Sequence, residues 1–248
     1  MVNPGRGTMA EFEVMELEGV RFVRARLREE TIRIEAGALA CYRGSIRLHA
    51  AIPSIATVVK ASLSEENSVR PTLTGSGDVV LESSVGGFHV FQAGGEAWIL
   101  ERGAYWASDA GVAVGVYRER VMNAFWAGDG LVDYATRIEG EGQVVVTTRG
   151  PAEELLLGPG ETFACEARGV VIARSASIQY RIRRPERSYL GSWLSGERAL
   201  RVYTGPGRLV LVETPYWGAF LMEKLGARPE AANATRPPAE AAEVNKAS

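Results

Sequence analysis

Histidine, cysteine and lysine are scarce: two His, two Cys and three Lys in 248 residues. A metal centre on a β scaffold draws several imidazoles and a carboxylate to one point, and His49 and His89 have no second ligand at i+2 or i+4. The same shortage leaves a Ser-His-Asp or Cys-His arrangement without positional support. Both histidines read as ordinary strand residues. Cys41 and Cys165 contain no Cys-x-x-Cys between them, which excludes a locally spaced zinc knuckle or redox pair. The longest run of apolar residues and glycine, Ala110 to Tyr117, falls far short of the ~18 residues a spanning helix needs, and no signal-peptide core is visible. A cytoplasmic protein with no membrane span is expected. A net charge of −2 gives no field that would gather nucleic acid, although the 25 arginines far outnumber the lysines.

What is present points to strands. Hydrophobic residues make up 46% and charged residues 23%, the proportions of a folded domain, while 28 glycines accompany many Val, Thr and aromatic residues. Val23 to Arg28 alternates apolar and charged residues, the pattern of a strand with one wet face. Ile32 and Ile34, Ile46 and Leu48, Val144–Val146, Val170–Ile172, Ile178–Ile182 and Leu209–Val212 read as further strands between glycine-bearing turns. One short helix is expected near Ile55–Leu63, after Pro53 and a capping Ser54. Residues 1–11 read as a loose leader and 12–226 as one body. The Ala/Pro/Glu-rich residues 227–248 read as a disordered tail, too poor in apolar surface to offset their ordering entropy.

The chain also resembles itself. Gly75-Ser76-Gly77, Gly140-Glu141-Gly142 and Gly205-Pro206-Gly207 each precede an apolar strand, at intervals of 65 residues. A glycine turn opening into a strand, used three times, predicts three related modules, approximately 12–90, 91–150 and 151–226. A second set, Gly37 to Cys41, Gly103 to Ser108 and Gly160 to Cys165, puts Cys, Ser and Cys at matching places, so both cysteines are expected to be small packing residues. Acids in turns upstream of each Gly-x-Gly, Glu65, Asp129 and Glu197, are expected to cap backbone N–H groups. The dinucleotide fingerprint fails at all three sites, because Val80, Val145 and Val210 stand where its third glycine belongs.

Candidate interaction residues fall in two places. Arg181, Arg183 and Arg184 form the best basic stretch, able to meet phosphate or an acidic partner. Tyr216, Trp217 and Phe220 form a terminal apolar segment that suits a subunit contact.

Ile34-Glu35-Ala36-Gly37-Ala38-Leu39, Thr74-Gly75-Ser76-Gly77, Thr204-Gly205-Pro206-Gly207 and Ser195-Gly196-Glu197 together resemble the altered inheritance of mitochondria protein 24 family of TRAP-like β proteins, over about Phe12 to Met222. The resemblance implies an all-β fold of three TRAP-like modules, short relatives of the double-stranded β-helix or β-sandwich, in a pseudo-threefold arrangement inclined to oligomerise. It supplies no catalytic residue, cofactor or metal ligand. The expected function is therefore non-enzymatic, through self-assembly into a homo-oligomer and binding of a protein partner. The alternative is a small-ligand or RNA sensor using Trp- and Arg-lined clefts between modules.

Overall fold

The structure is a computed structural model in which residues 9–49, 70–84, 86–118, 134–166, 169–183 and 200–212 are described. Those residues form sixteen strands and no helix. In chain order they are β1 (Glu11–Leu17), β2 (Val20–Ile34), β3 (Leu39–His49), β4 (Thr72–Ser84), β5 (Phe88–Gln92), β6 (Trp98–Leu100), β7 (Tyr105–Asp109) and β8 (Val112–Arg118). There follow β9 (Tyr134–Gly140), β10 (Gln143–Thr147), β11 (Glu153–Leu157), β12 (Thr162–Cys165), β13 (Val171–Ser175), β14 (Gln179–Arg183), β15 (Leu200–Thr204) and β16 (Gly207–Leu211). The expected helix near Ile55–Leu63, the acids Glu65, Asp129 and Glu197 and the tail 227–248 lie outside the described residues.

All pairings are antiparallel. A seven-stranded sheet runs β3-β4-β2-β7-β10-β5 with β1 added to β2, a six-stranded sheet runs β11-β16-β13-β6-β9-β8, and a three-stranded sheet runs β12-β15-β14. The alternation from Val23 to Arg28 works as its period dictates: Val23, Ala25 and Leu27 are buried on β2, and Arg26 and Arg28 are exposed.

Three antiparallel ribbons organise these sheets: β3 with β4, β8 with β9, and β14 with β15. The strand after each Gly-x-Gly is flanked on both sides. Val79–Leu81 lies between β2 and β3, Val144–Val146 between β5 and β7, and Leu209–Leu211 between β11 and β13. A register shift recurs at the same point in each, between Leu39 and Cys41, at Val145/Val146, and between Val171 and Ala173. Such a bulge bends its strand and increases the local twist.

The glycines do something other than open a turn in the first of these units. Gly75-Ser76-Gly77 runs through the middle of β4. Gly140–Gly142 and Gly205–Gly207 instead turn a corner, sending the chain from β9 to β10 and from β15 to β16, in different sheets. Common to all is close backbone approach: a methyl group on Gly75 would overlap the Ser45 carbonyl, and one on Gly140 the Gly111 carbonyl. Both also have φ well into the positive region.

The second expected set needs correction. Leu39–Cys41 on β3 and Tyr105–Ser108 on β7 do occupy matching places beside the strand after Gly-x-Gly, but Phe163–Cys165 lies on β12 and pairs with β15. Val171–Ser175 takes that place in the third unit, and Gly169, at φ 77°, turns as Gly37 (82°) and Gly103 (72°) do. An extra strand therefore separates Gly160 from the position that its spacing mimics. Cys41, expected to be packed inside, is exposed, because β3 is the terminal strand of its sheet; Cys165 is half-buried.

Three clusters of buried residues form the core. The first contains Val23, Ile32, Leu73, Val79 and Leu81; the second Trp98, Leu100, Val112, Ile138 and Val144; the third Leu157, Ile178, Tyr203, Leu209 and Leu211. At about 1.5–3 kcal/mol for each fully buried large aliphatic side chain, they supply the main drive to fold.

Candidate functional site

Arg181 and Arg183 stand on β14, an edge strand, opposite Val202 and Leu200. Period-2 alternation exposes both, together with Gln179, and turns Tyr180 and Ile182 to the half-buried face. Arg184, Tyr216, Trp217 and Phe220 lie outside the described residues, so the structure brings together two of the six candidates. Behind the arginines is a cluster of tilted aromatic rings. Tyr180 and Tyr203 have centroids 5.1 Å apart, Phe163 is 6.4 Å from Tyr203, and the Arg174 guanidinium lies 5.3 Å from the Tyr180 ring. Burial drives the Tyr203 phenol far above its usual range, so it remains neutral.

A polar cluster that sequence reading missed joins β5, β6, β11 and β16. The Arg208 guanidinium sits 4.7 Å from the Trp98 ring centroid, and its Nε donates to Glu96 Oε1 at 2.7 Å. Its Nη2 contacts the same oxygen and donates to the Gln92 carbonyl at 3.1 Å, while Nη1 lies 3.5 Å from Glu154 Oε2. His89 Nε2 is buried, 3.4 Å from Glu154 Oε1 and without a hydrogen bond. Two carboxylates hold one guanidinium against a fully buried indole, an arrangement that fixes β16 against the turn at Ala93–Glu96.

Asp109 is a second missed residue. It is 6% exposed at the end of β7; Oδ1 accepts from the Ala10 N–H at 3.1 Å and Oδ2 from the Gln143 N–H at 2.7 Å. One carboxylate thus pins the N-terminal segment to the Gly140–Gly142 corner. Burial raises its carboxyl above the ordinary value, the two N–H donors oppose this, and the Glu30 charge adds to it. Nearby, burial pushes the Tyr105 phenol up to about 12; its OH meets Ser108 Oγ at 2.9 Å. Among the described residues, no group of three or more His, Cys, Asp or Glu side chains could hold a metal ion.

The third feature is made of backbone. Among the described residues, β3 pairs only with β4, and β12 only with β15, so each offers a bare outer edge. Tyr42 is 47% exposed and Leu48 48% on that rim. Bare edges of this kind are templates for another strand. Sequence spacing could not show them, because burial on one side and exposure on the other depends on which strands find partners.

Strand content, paired ribbons and glycine corners define an antiparallel β protein. Residues 12–214 match the mitochondrial biogenesis AIM24 family, and the chain belongs to that family. The fold is similar to the crystal structure of protein SPYM3_0169 from Streptococcus pyogenes, at 17% identity and a TM-score of 0.63, over 87% of this chain and 99% of that one. No curated protein matches the chain. No helix among the described residues is long and apolar enough to cross a membrane.

Proposed function

We propose that this chain is a non-enzymatic assembly protein of three TRAP-like modules in a pseudo-threefold arrangement, acting in the cytoplasm by forming homo-oligomers that bind a protein partner. The observation that supports it is the repeated register. Each Gly-x-Gly strand is clasped by two neighbours with a bulge at the same place, which is how one β unit used three times would look. Modules of this kind bury their edges against one another, and a chain with edges left over extends the pattern to further copies. Light scattering of the purified full chain over a dilution series tests this. The reading expects a discrete assembly that dissociates on dilution, and a monomer at every concentration would overturn it.

A second reading, an RNA- or small-ligand-binding module, is favoured by Arg181 and Arg183 lying side by side on an exposed face. It expects RNA retention that weakens as salt rises and is lost in an Arg181→Ala/Arg183→Ala variant. Retention indifferent to both would discard it.

A further inference from the structure

Two junctions inside the chain share one register. In β2·β7, Ile32 faces Asp109, Arg33 faces Ser108 and Ile34 faces Ala107; in β6·β13, Trp98 faces Ser175, Ile99 faces Arg174 and Leu100 faces Ala173. The Gly-x-Gly motifs give a common ruler. Ile32 and Trp98 stand opposite Leu73 and Ile138, each two residues before its first glycine; in the third unit Phe163 stands opposite Tyr203, two before Gly205. Strand β12 is therefore the third strand of the donating kind, with Phe163, Ala164 and Cys165 in the places of Ile32, Arg33 and Ile34. On the receiving side, Ala107 and Ala173 face Val145 and Val210, five residues after the first glycine; Cys41 faces Val80, five after Gly75. Strand β3 is the third receiver.

Among the described residues, β12 is the one donating strand and β3 the one receiving strand without the partner that their counterparts have. The filled receivers are sealed, Ala107 at 0% and Ala173 at 1% exposure, whereas Cys41 is exposed. Joined through β12 and β3, the three-stranded sheet β12-β15-β14 and the β3 end of the seven-stranded sheet would have the strand order of the six-stranded one.

We propose that β12 of one copy pairs antiparallel with β3 of the next, head to tail, with Cys165 opposite Cys41, Ala164 opposite Tyr42 and Phe163 opposite Arg43. This deepens the assembly reading and rests on it. A second copy is the occupant because, among the described residues, β12 and β3 of one chain lie in separate sheets with no ladder between them, so the chain leaves the third junction of the pseudo-threefold arrangement open; unlike edges that match make heterologous contacts, which close into rings or run on as filaments. Hydrogen bonds in the filled junctions fix the local geometry. Glu35 N–H donates to the Trp106 carbonyl and Glu101 N–H to the Ile172 carbonyl, so Glu166 N–H meets the Ala40 carbonyl in the new one. The residues one step inside those bonds form non-hydrogen-bonded pairs. Cys41 and Cys165 fall in such a pair, with Cα atoms ~4.5 Å apart, inside the range a disulfide spans.

The thiols thus serve as reporters. Full-length Cys41→Ser and Cys165→Ser variants, each alone and then mixed after co-refolding, are treated with diamide. For each disulfide formed, two thiols lose two electrons and two protons to the diazene, which becomes the hydrazine. Neither single variant holds both cysteines, so the expected result is a disulfide dimer in the mixture, formed at least about tenfold faster than in either variant alone. Peptide mapping shows the Cys41–Cys165 link, and wild type gives a ladder. Wild type that yields the same link only within a monomer overturns the second-copy assignment. An assembly seen by light scattering that gives no Cys41–Cys165 link overturns the edge pairing and leaves the assembly reading standing. A chain that is monomeric before oxidation and unlinked after it removes both.

Discussion

Replacing Gly140 by alanine probes whether the two backbones of the β8–β9 ribbon approach as closely as described. Gly140 ends β9, pairs with Val112 and has φ 123°, a region side chains avoid at a cost of about 1–3 kcal/mol. A Cβ there would overlap the Gly111 carbonyl oxygen, which belongs to the backbone and cannot swing aside. Relief requires parting the Val112–Gly140 end of the ladder, losing one or two backbone hydrogen bonds at about 0.5–1.5 kcal/mol each. The sum is about 1.5–6 kcal/mol, a fall in Tm of roughly 3–24 °C for a chain of this size. Gly115 on β8 is the control: its φ lies outside the positive region and nothing lies within 4 Å of an added Cβ, so Gly115→Ala should be neutral or slightly stabilising. Thermal and urea unfolding followed by circular dichroism measure both. If Gly140→Ala melts within about 1 °C of wild type, the close backbone approach is wrong.

Trp98→Ala empties the middle of the second core, where the indole is fully buried; urea unfolding should show a loss of about 3–5 kcal/mol. Arg208→Leu leaves Glu96 and Glu154, about a third exposed, without their cation. With solvent screening counted, it should cost about 1–2 kcal/mol by the same assay, and no change would show the cluster to be ornamental. Asp109 gives a pH dependence of known sign. The folded carboxyl binds its proton more tightly than the unfolded one, so stability is greatest while it is protonated and declines as pH rises from about 4 through the raised value. Asp109→Asn lacks that titration, so the Tm of wild type minus that of the variant should fall over this window; a flat or rising difference would contradict the assignment. Tyr42 corresponds to Ser108, whose N–H points toward β2, so the Tyr42 N–H points outward from β3. Tyr42→Pro should therefore leave subunit unfolding within about 1 kcal/mol of wild type while abolishing assembly, as seen by light scattering.

Much of the fold was legible because strands advertise themselves by period. The alternation at Val23–Arg28 and the apolar runs at Val144–Val146 and Leu209–Val212 became β2, β10 and β16. Gly75, Gly140 and Gly205, spaced 65 residues apart, each sit where another backbone carbonyl approaches too closely for a Cβ. Local likeness misled at Cys165, where a glycine, an aromatic and a small residue reproduce on β12 the pattern that β3 and β7 show after their own glycine turns. Only pairing, a long-range property, separates these cases. Asp109 and Arg208 escaped notice because single charged residues carry no spacing signal; their roles depend on Ala10, Gln143, Glu96 and Glu154 arriving from distant parts of the chain.

The most direct test of the assembly account is native mass spectrometry of the full-length protein, purified gently at low ionic strength. One spectrum reports subunit number and any retained non-covalent mass. The account predicts a defined multiple of the subunit mass with nothing added. A monomer, or a subunit carrying a bound small molecule in fixed ratio, would contradict it, the latter in favour of a ligand-binding module.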